Sequence, residues 1–195
     1  SGLTFLGLIA IGDTLRPQVK KAVEQVRRAG VQVVMITGDN KDTALAMGEK
    51  AGLCRENDRL ALTHDELAAL ADEEVKALLP RLRVVARAMP QDKSRLVTLA
   101  QEMGLVAGMT GDGINDAPAL KLSDVGFAMG SGTEVAKEAG DIVILDDNFQ
   151  SIGKAILYGR TIFKSIRKFI VFQLTMNLCA VGVSVLGPFL GVENP

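Results

Sequence analysis

Short apolar runs alternate with amphipathic segments along most of the chain. The apolar runs lie at residues 3–11, 31–36, 83–86, 105–109, 125–129 and 142–145. The segments with helical spacing of apolar positions are residues 17–29, 41–51, 92–102 and 133–139. Apolar strands that alternate with helices are typical of a parallel sheet covered on both faces. The pattern therefore predicts an α/β fold with a doubly wound parallel sheet, in which ligands bind at the carboxyl ends of the strands.

Residues 58–80 interrupt this alternation because they are more strongly charged. Helical patterns occur within them at residues 64–70 and 72–79. We expect this segment to be a peripheral insertion with little bearing on function. His64, the only histidine of the chain, is expected at a helix start or on the surface.

The carboxyl-terminal part of the chain departs from the α/β pattern. Residues 149–168 predict a long amphipathic helix rich in lysine and arginine. Residues 169–192 contain no formally charged residue and are long enough to span a hydrocarbon core, the alternative being a buried helix of a soluble protein. Basic residues before the apolar run and Glu193 after it place its amino-terminal end in the cytoplasm. We therefore expect an integral membrane protein, in contact with the lipid membrane, whose α/β domain is cytoplasmic.

The composition limits the classes of partner. The chain has 195 residues, of which 48% are hydrophobic, and this is enough for a sizeable core. The net charge of −1, the 4% aromatic content and the lack of tryptophan argue against binding to nucleic acid. Two cysteines and one histidine supply neither a disulfide framework nor a cysteine–histidine metal site. The chain starts at Ser1 without an initiator methionine, so we expect that it begins inside a larger protein.

Polar residues follow the apolar run at residues 31–36. Thr37, Gly38 and Asp39 offer a hydroxyl and exposed backbone N–H groups at a helix start, which is a natural site for an anion. The same residues could instead cap the helix that follows.

A second polar loop, residues 110–116, follows the apolar run at residues 105–109. Its glycines allow a sharp turn, and Asp112, Asn115 and Asp116 project from that loop and the next helical turn. Two carboxylates with an amide between them suit Mg²⁺, which binds one or two carboxylates and keeps several waters. The alternative is an Asp-Gly turn followed by an Asn or Asp helix cap.

Lys93 lies in the first turn of a helix that Pro90 is predicted to start. A lysine is unfavourable there in the field of the helix dipole, so an anionic partner would offset its cost; the alternative is a solvated surface lysine. Residues 130–133 look like a phosphate loop but lack its Gly-Lys-Ser/Thr ending, so a structural turn before a helix is favoured. Together, the loops offer what phosphoryl transfer needs, except a nucleophile.

Three stretches resemble the phosphorylation domain of P-type ion-pumping ATPases, which belong to the haloacid dehalogenase superfamily and have a Rossmann-type fold. They are residues 35–40 (MITGDN), residues 85–87 (VAR) with Lys93, and residues 109–121 (MTGDGINDAPALK). The resemblance covers nearly the whole chain. It implies a phosphorylation-domain portion that follows the nucleotide-domain insertion at residues 1–148. It also implies a cytoplasmic stalk helix at residues 149–168 and the fifth transmembrane helix at residues 169–192.

The resemblance implies catalytic and cofactor-binding roles for the first set of loops. Thr37, Gly38 and Asp39 would contact phosphate or nucleotide, and Arg87 would approach the nucleotide, ATP. Lys93 would neutralise the phosphoryl group during its transfer.

It also implies roles around the second loop. Asp112 would bind Mg²⁺, with Asp116 in support of the metal, and Asn115 would bond to the phosphoryl group. Asp13 and Arg16 resemble the hinge toward a nucleotide-binding domain.

Residues 172–177 resemble the fifth transmembrane helix of calcium pumps, especially those of the plasma-membrane type. The resemblance implies that Asn177 is a ligand of the transported Ca²⁺. Ala180 stands where reticulum-type calcium pumps have a glutamate, which implies a site for one calcium ion. An asparagine that merely bonds to a neighbouring helix is the alternative.

The sequence departs from the family pattern at the nucleophile. It contains no Asp-Lys-Thr-Gly-Thr stretch, which carries the phosphorylated aspartate, and it lacks actuator and nucleotide-binding domains. We therefore expect a fragment of an ATP-driven calcium pump that is inactive alone and has the remaining domains and transmembrane helices as partners.

Two other hypotheses are open. One is a soluble phosphatase of the haloacid dehalogenase type with Asp13 as nucleophile, although Leu15 stands where such loops place Asp or Thr. The other is a membrane-anchored module that binds Mg²⁺ or nucleotide without turnover.

Overall fold

The computed structural model describes residues 14–55 and 57–187, together with Leu6 and Gly191. The helices are α1 (Val19–Arg28), α2 (Lys41–Lys50), α3 (His64–Ala68), α4 (Asp72–Leu78), α5 (Pro90–Glu102), α6 (Ala117–Leu122), α7 (Glu134–Ala139) and α8 (Phe149–Leu186). The strands are β1 (Met35–Ile36), β2 (Leu60–Thr63), β3 (Leu82–Ala86), β4 (Gly108–Gly111), β5 (Val125–Met129) and β6 (Ile142–Ile144). Short 3-10 turns lie at Leu79–Arg81 and Ile114–Asp116. The strand predicted at residues 3–11 lies outside the described residues, apart from Leu6.

All strand pairs among the described residues are parallel, which confirms the predicted fold class. The strands form two three-stranded sheets with the orders β1–β3–β2 and β4–β5–β6. The sequence pattern had indicated one sheet. β1 and β4 each have a single neighbour among the described strands, and both are followed by the polar loops that the sequence singles out.

The side chains of β3 divide between two hydrophobic clusters. Val84 and Ala86 pack in one cluster with residues of α1 and α2. Leu82 and Val85 pack in the other with residues of α3, α4 and α5. Helices therefore cover both faces of this sheet, as a doubly wound fold requires.

Two predicted strands are shorter or shifted. Residues 31–34 stay outside β1, where the side chain of Gln32 donates to the backbone carbonyls of Leu79 and Leu82, each over 2.8 Å. Leu105 and Val106 are exposed, and β4 starts only at Gly108. Buried and exposed residues alternate only from Gly108 onward, where β4 pairs with β5.

The prediction that residues 58–80 form a peripheral insertion is wrong. This segment supplies β2, which pairs with β3 along its whole length. It also supplies α3, whose Leu67 is fully buried in the second cluster. The charged residues around β2 conceal a short strand because only Leu60, Ala61 and Leu62 are apolar.

The described residues fall into two compact units that divide after Gly153. Helix α8 begins in the first unit, where Ile152 is buried and Phe149 packs against the first cluster. In the second unit its apolar side chains are exposed, so the described residues do not bury it as a soluble core helix. By length and composition α8 is able to cross a membrane.

Candidate functional site

Backbone hydrogen bonds join the loops after β1 and β3. The N–H of Thr37 donates to the carbonyl of Val85, and the N–H of Ala88 donates to the carbonyl of Thr37, each over 2.9 Å. The N–H of Arg87 donates to the carbonyl of Asp39 over 2.8 Å. These three bonds between the two loops join backbone groups only, so they do not depend on the side chains of Asp39 and Arg87.

Asn40 caps helix α2. Its Oδ1 accepts from the N–H of Thr43 over 2.9 Å. Thr37 Oγ1 accepts from the N–H of Asp39 over 3.1 Å, and the Asp39 carboxylate forms no hydrogen bond or ion pair within the described chain. The capping role that could have explained Thr37, Gly38 and Asp39 therefore belongs to their neighbour.

Arg87 has a left-handed backbone conformation with φ of 49°. For a residue with a Cβ this conformation costs about 1 kcal/mol. Its guanidinium group is exposed and has no partner among the described residues. The backbone therefore holds a free arginine at the carboxyl end of β3, where the sequence placed a nucleotide-binding group.

Asp116 organises the loop after β4. Its Oδ2 accepts from the N–H of Asp112 over 3.1 Å and from the N–H of Gly113 over 3.3 Å. A Cβ at position 111 would lie 2.4 Å from the Cβ of Asp116, so Gly111 is required for this approach. The loop is folded around one buried carboxylate.

Lys93 is the partner of that carboxylate. Its Nζ lies 2.5 Å from Asp116 Oδ1 and joins α5 to the loop after β4. Burial alone would raise the pKa of Asp116, but the Lys93 hydrogen bond and the two backbone N–H groups hold this pKa below its usual value. The anionic partner predicted for Lys93 is thus present, and the surface-lysine alternative is wrong.

Asp112 and Asn115 remain available in the same loop. Both are exposed, and neither side chain bonds to a described residue. Both oxygens of Asp116 accept hydrogen bonds, so this side chain stabilises the loop that carries Asp112. One free carboxylate fits Mg²⁺, which takes its other ligands from water and phosphate. Within the described residues there is no group of three or more His, Cys, Asp or Glu suited to a metal.

Residues 130–133 form the structural turn that the sequence favoured. Thr133 caps α7, because its side chain accepts from the N–H of Ala136 over 3.3 Å. The turn also contacts the loop after β4, since the N–H of Thr133 donates to the carbonyl of Asp112 over 2.8 Å.

Other predicted residues lie apart from this cluster or outside the described chain. Asn177 is on α8 in the second unit, where its Oδ1 accepts from Gln173 Nε2 over 3.3 Å. Asp13 lies outside the described residues. Arg16 Nη1 donates to the backbone carbonyl of Asp147 over 2.7 Å, a contact that the sequence did not suggest.

Sequence reasoning missed a buried aspartate next to Lys93. Asp92 accepts from His64 Nδ1 over 2.8 Å and from the N–H of Met89 over 2.7 Å. It is 3% exposed, and it fixes the first turn of α5 to the start of α3. The signal was an aspartate three residues after Met89, the residue that precedes the helix, which is a capping position. His64 begins α3, as expected for a helix-start residue.

The parallel α/β domain carries the Lys93–Asp116 pair and a free carboxylate in the loop after β4, and comparison with known proteins identifies its family. Two models described as haloacid dehalogenase-like hydrolase match residues 2–124 and residues 105–156. The chain belongs to the haloacid dehalogenase-like hydrolase family.

Several proteins that are similar in sequence to this chain are named as calcium-transporting ATPases. Calcium-transporting ATPase PAT1 of Dictyostelium discoideum is 48% identical over 96% of this chain and 17% of its own length. Calcium-transporting ATPase 2 of Schizosaccharomyces pombe is 49% identical over 98% of the chain and 15% of its own length. Plasma membrane calcium-transporting ATPase 1 of Homo sapiens is 44% identical over all of the chain and 17% of its own length. The chain thus spans about one sixth of these relatives, which favour the pump interpretation over the soluble phosphatase.

Solved structures agree with the fold. A crystal structure of a zinc-transporting PIB-type ATPase in an E2.Pi state matches with a TM-score of 0.67 and 29% identity. The match covers 93% of this chain and 24% of that one. The catalytic domain of a CPx-ATPase matches 74% of the chain and 46% of its own with a TM-score of 0.55 at 23% identity, which supports the fold alone.

Proposed function

We propose that this chain is part of a calcium-transporting P-type ATPase and supplies half of its phosphoryl-transfer site. In this proposal residues 1–148 are the phosphorylation-domain portion, residues 149–168 a stalk helix and residues 169–192 a transmembrane helix. The single observation that carries the proposal is the Lys93–Asp116 pair, which holds the loop of a free Asp112 at a strand end. The identity of 44–49% with calcium-transporting ATPases supports the choice of ion.

The two loop groups divide the work of holding ATP. The Thr37 hydroxyl and the exposed Gly38 backbone bind phosphate oxygens, and Arg87 and Asp39 contact the nucleotide. Asp112 would hold Mg²⁺, which would supply positive charge toward the phosphate oxygens.

The remaining groups serve the phosphoryl group itself. Lys93 has its Nζ at the edge of the site, where it offsets negative charge and keeps Asp116 ionised. Asn115 donates a hydrogen bond to the phosphoryl group from its exposed amide. Catalysis of this kind depends on fixed charges aimed at the transferring group.

The nucleophile comes from another segment of the longer protein. β1 and β4 each have one described neighbour, so each offers an edge to a further strand. A strand that ends in an aspartate beside either loop would complete the site. The partners are accordingly the remaining domains and transmembrane helices of the same pump.

In this proposal helix α8 crosses the membrane and carries the ion ligand, Asn177. Asn177 and Gln173 present amide groups within the uncharged run at residues 169–192, and an amide oxygen is a ligand that Ca²⁺ accepts. Basic residues before the apolar run keep the amino-terminal unit in the cytoplasm.

The test uses the longer protein that carries this chain. With ATP labelled at the γ-phosphate, Mg²⁺ and Ca²⁺, acid quenching should trap a phosphoenzyme that hydroxylamine cleaves. Asp112→Asn should lower its rate of formation at least about tenfold, because a ligand for positive charge is lost. Asp42→Asn, which removes an exposed carboxylate of α2, is the matched control. Phosphate release by the 195-residue chain alone, or a phosphoenzyme indifferent to Asp112→Asn, would contradict the proposal.

A further inference from the structure

Asp147 lies between β6 and α8 in a left-handed backbone conformation, with φ of 48°. Apart from Arg87 it is the only non-glycine residue with positive φ in the described chain. Aspartate tolerates this conformation better than most residues because its short side chain bonds locally. The conformation directs its carboxylate to the turn at residues 130–133.

The Asp147 side chain holds that turn. Its Oδ1 accepts from the N–H of Ser131 over 3.0 Å, and its backbone N–H donates to the carbonyl of Ile144 over 3.1 Å. Arg16 Nη1 donates to the Asp147 carbonyl from the other side over 2.7 Å. Hydrogen bonds from Ser131, above all from its backbone N–H, lower the pKa of Asp147, so the carboxylate is charged at neutral pH.

The same turn contacts the loop after β4, which carries Asp112. The N–H of Thr133 donates to the carbonyl of Asp112 over 2.8 Å. A Cβ at Gly132 would lie 2.8 Å from the Asp112 carbonyl oxygen and 3.0 Å from its Cα, so the two backbones are in direct contact. Asp147 and Asp112 are therefore connected through three consecutive residues of one tight turn.

We propose that Asp147 is a positioning residue for Asp112, which it orients through the Ser131–Gly132–Thr133 turn. Asp147 is followed by Asn148 and then by Phe149, the first residue of α8, so the position of the Asp112 backbone, from which the carboxylate projects, is tied to the start of that helix. The role of Asp112 as a Mg²⁺ ligand rests on the proposed function, whereas the link between Asp147 and Asp112 rests only on the contacts of the first unit. A shift of either end must pass through two hydrogen bonds and one close backbone contact.

Asp146, the neighbouring aspartate, has a different task. Its Oδ1 accepts from the N–H of Asn148 over 3.2 Å, and its Oδ2 accepts from Ser151 Oγ over 2.7 Å. These bonds fix the first turn of α8 and do not reach residues 130–133. Asp146→Asn is therefore a matched control in the same loop.

The experiment compares Asp147→Gly, Asp147→Asn and Asp146→Asn in the full chain in detergent micelles. Amide hydrogen exchange is followed by NMR at Ser131 and Thr133, relative to the core amide of Leu53, which donates to Gly48 over 2.8 Å. Glycine keeps the left-handed backbone and loses the acceptor, so exchange at both turn amides should rise about tenfold. Asparagine keeps an acceptor oxygen and should stay within about twofold of the parent, as should Asp146→Asn.

Equal protection in Asp147→Gly and the parent chain would overturn the proposal. So would an equal loss in the Asn and Gly variants, or a rise that Leu53 shares, since that would mark a general loss of stability. In the same samples, the Mg²⁺ affinity is measured from the shift of the Asp112 amide signal. We expect this affinity to fall about threefold or more in Asp147→Gly and to stay unchanged in Asp147→Asn. If the parent chain gives no Mg²⁺ response at Asp112, the proposed function fails while the exchange comparison still decides the inference.

Discussion

The two halves of the candidate site are built by different means. The loops after β1 and β3 are held mainly by backbone hydrogen bonds, to which Thr37 Oγ1 adds one bond from the N–H of Asp39, while the side chains of Asp39 and Arg87 have no partner among the described residues. The loop after β4 is held by the buried side chain of Asp116, which Lys93 neutralises. Side chains therefore contribute little to the shape of the first half, whereas the shape of the second half depends on them.

This difference teaches how mutational data on the site should be interpreted. A substitution in the first half tests a chemical role with little change of shape. A substitution of Lys93 or Asp116 changes both charge and loop geometry, so loss of activity there does not by itself identify a catalytic residue. Asp112 and Asn115 are the exceptions in the second half, because neither side chain bonds to a described residue.

The largest effect should come from crowding Asp116. Gly111→Ala would place a Cβ 2.4 Å from the Cβ of Asp116, and the buried side chain has no room to retreat. We expect a loss of about 2–3 kcal/mol in the free energy of unfolding, measured by urea denaturation of the full chain in detergent. Gly113→Ala is the control, because its Cβ would have no neighbour closer than 3.9 Å. Similar losses in the two variants would refute the structural role of Asp116.

The second effect should come from removal of the lysine partner. Lys93→Met leaves the Asp116 carboxylate buried with two backbone donors only, and we expect a loss of about 2 kcal/mol by the same measurement. Lys50→Met, at an exposed lysine without an ion pair in the described chain, should change stability by less than about 0.5 kcal/mol. Equal behaviour of the two lysines would place Lys93 among ordinary surface residues.

The pH dependence of stability offers a third comparison. The folded-state pKa of Asp116 lies below its unfolded value, so its stabilisation is present above the unfolded pKa and is lost as pH falls through the folded pKa. Stability of the parent chain should therefore fall more steeply below about pH 4 than that of Asp116→Asn. Asp42→Asn, which lacks an exposed carboxyl, should keep the parent slope. Unfolding is followed at several acidic pH values, and identical slopes for Asp116→Asn and the parent chain would show that folding does not lower the pKa of Asp116.

The smallest effect belongs to the first half of the site. Arg87→Gly relieves the positive φ, whereas Arg87→Ala keeps the Cβ in it, so the glycine variant should be more stable by about 1 kcal/mol. Neither variant removes the backbone bond to Asp39. A glycine variant less stable than the alanine variant would show that position 87 does not hold a strained left-handed backbone.

The sequence pattern predicted the elements that long periodic segments define. The α/β class, the helices around both faces of β3 and the long α8 all follow from apolar spacing. It missed β2 because a strand of four residues among charged neighbours has too few alternations to be recognised. It overextended the strand at residues 31–36, where the side chain of Gln32 takes bonds that a longer strand would give to backbone groups.

The candidate site was predictable in composition and less so in contacts. A lysine against the helix dipole indicated an anionic partner for Lys93, and Asp116 is that partner. Pairing between distant segments is not encoded in local spacing, so the His64–Asp92 contact and the Asp147–Ser131 contact could not be foreseen. An aspartate in a left-handed conformation carries no pattern that distinguishes it from any loop aspartate.

The central claim is that Asp112 is the free metal-binding carboxylate of a site that Asp116 supports. The most direct measurement is an NMR titration of the full chain in detergent with Mn²⁺, which broadens amide signals near its binding site, and with Mg²⁺ as competitor. We predict broadening centred on Gly111, Asp112 and Gly113, relieved by Mg²⁺, absent in Asp112→Asn and retained in Asp42→Asn. Broadening that survives in Asp112→Asn, or that is centred on another part of the chain, would contradict the account.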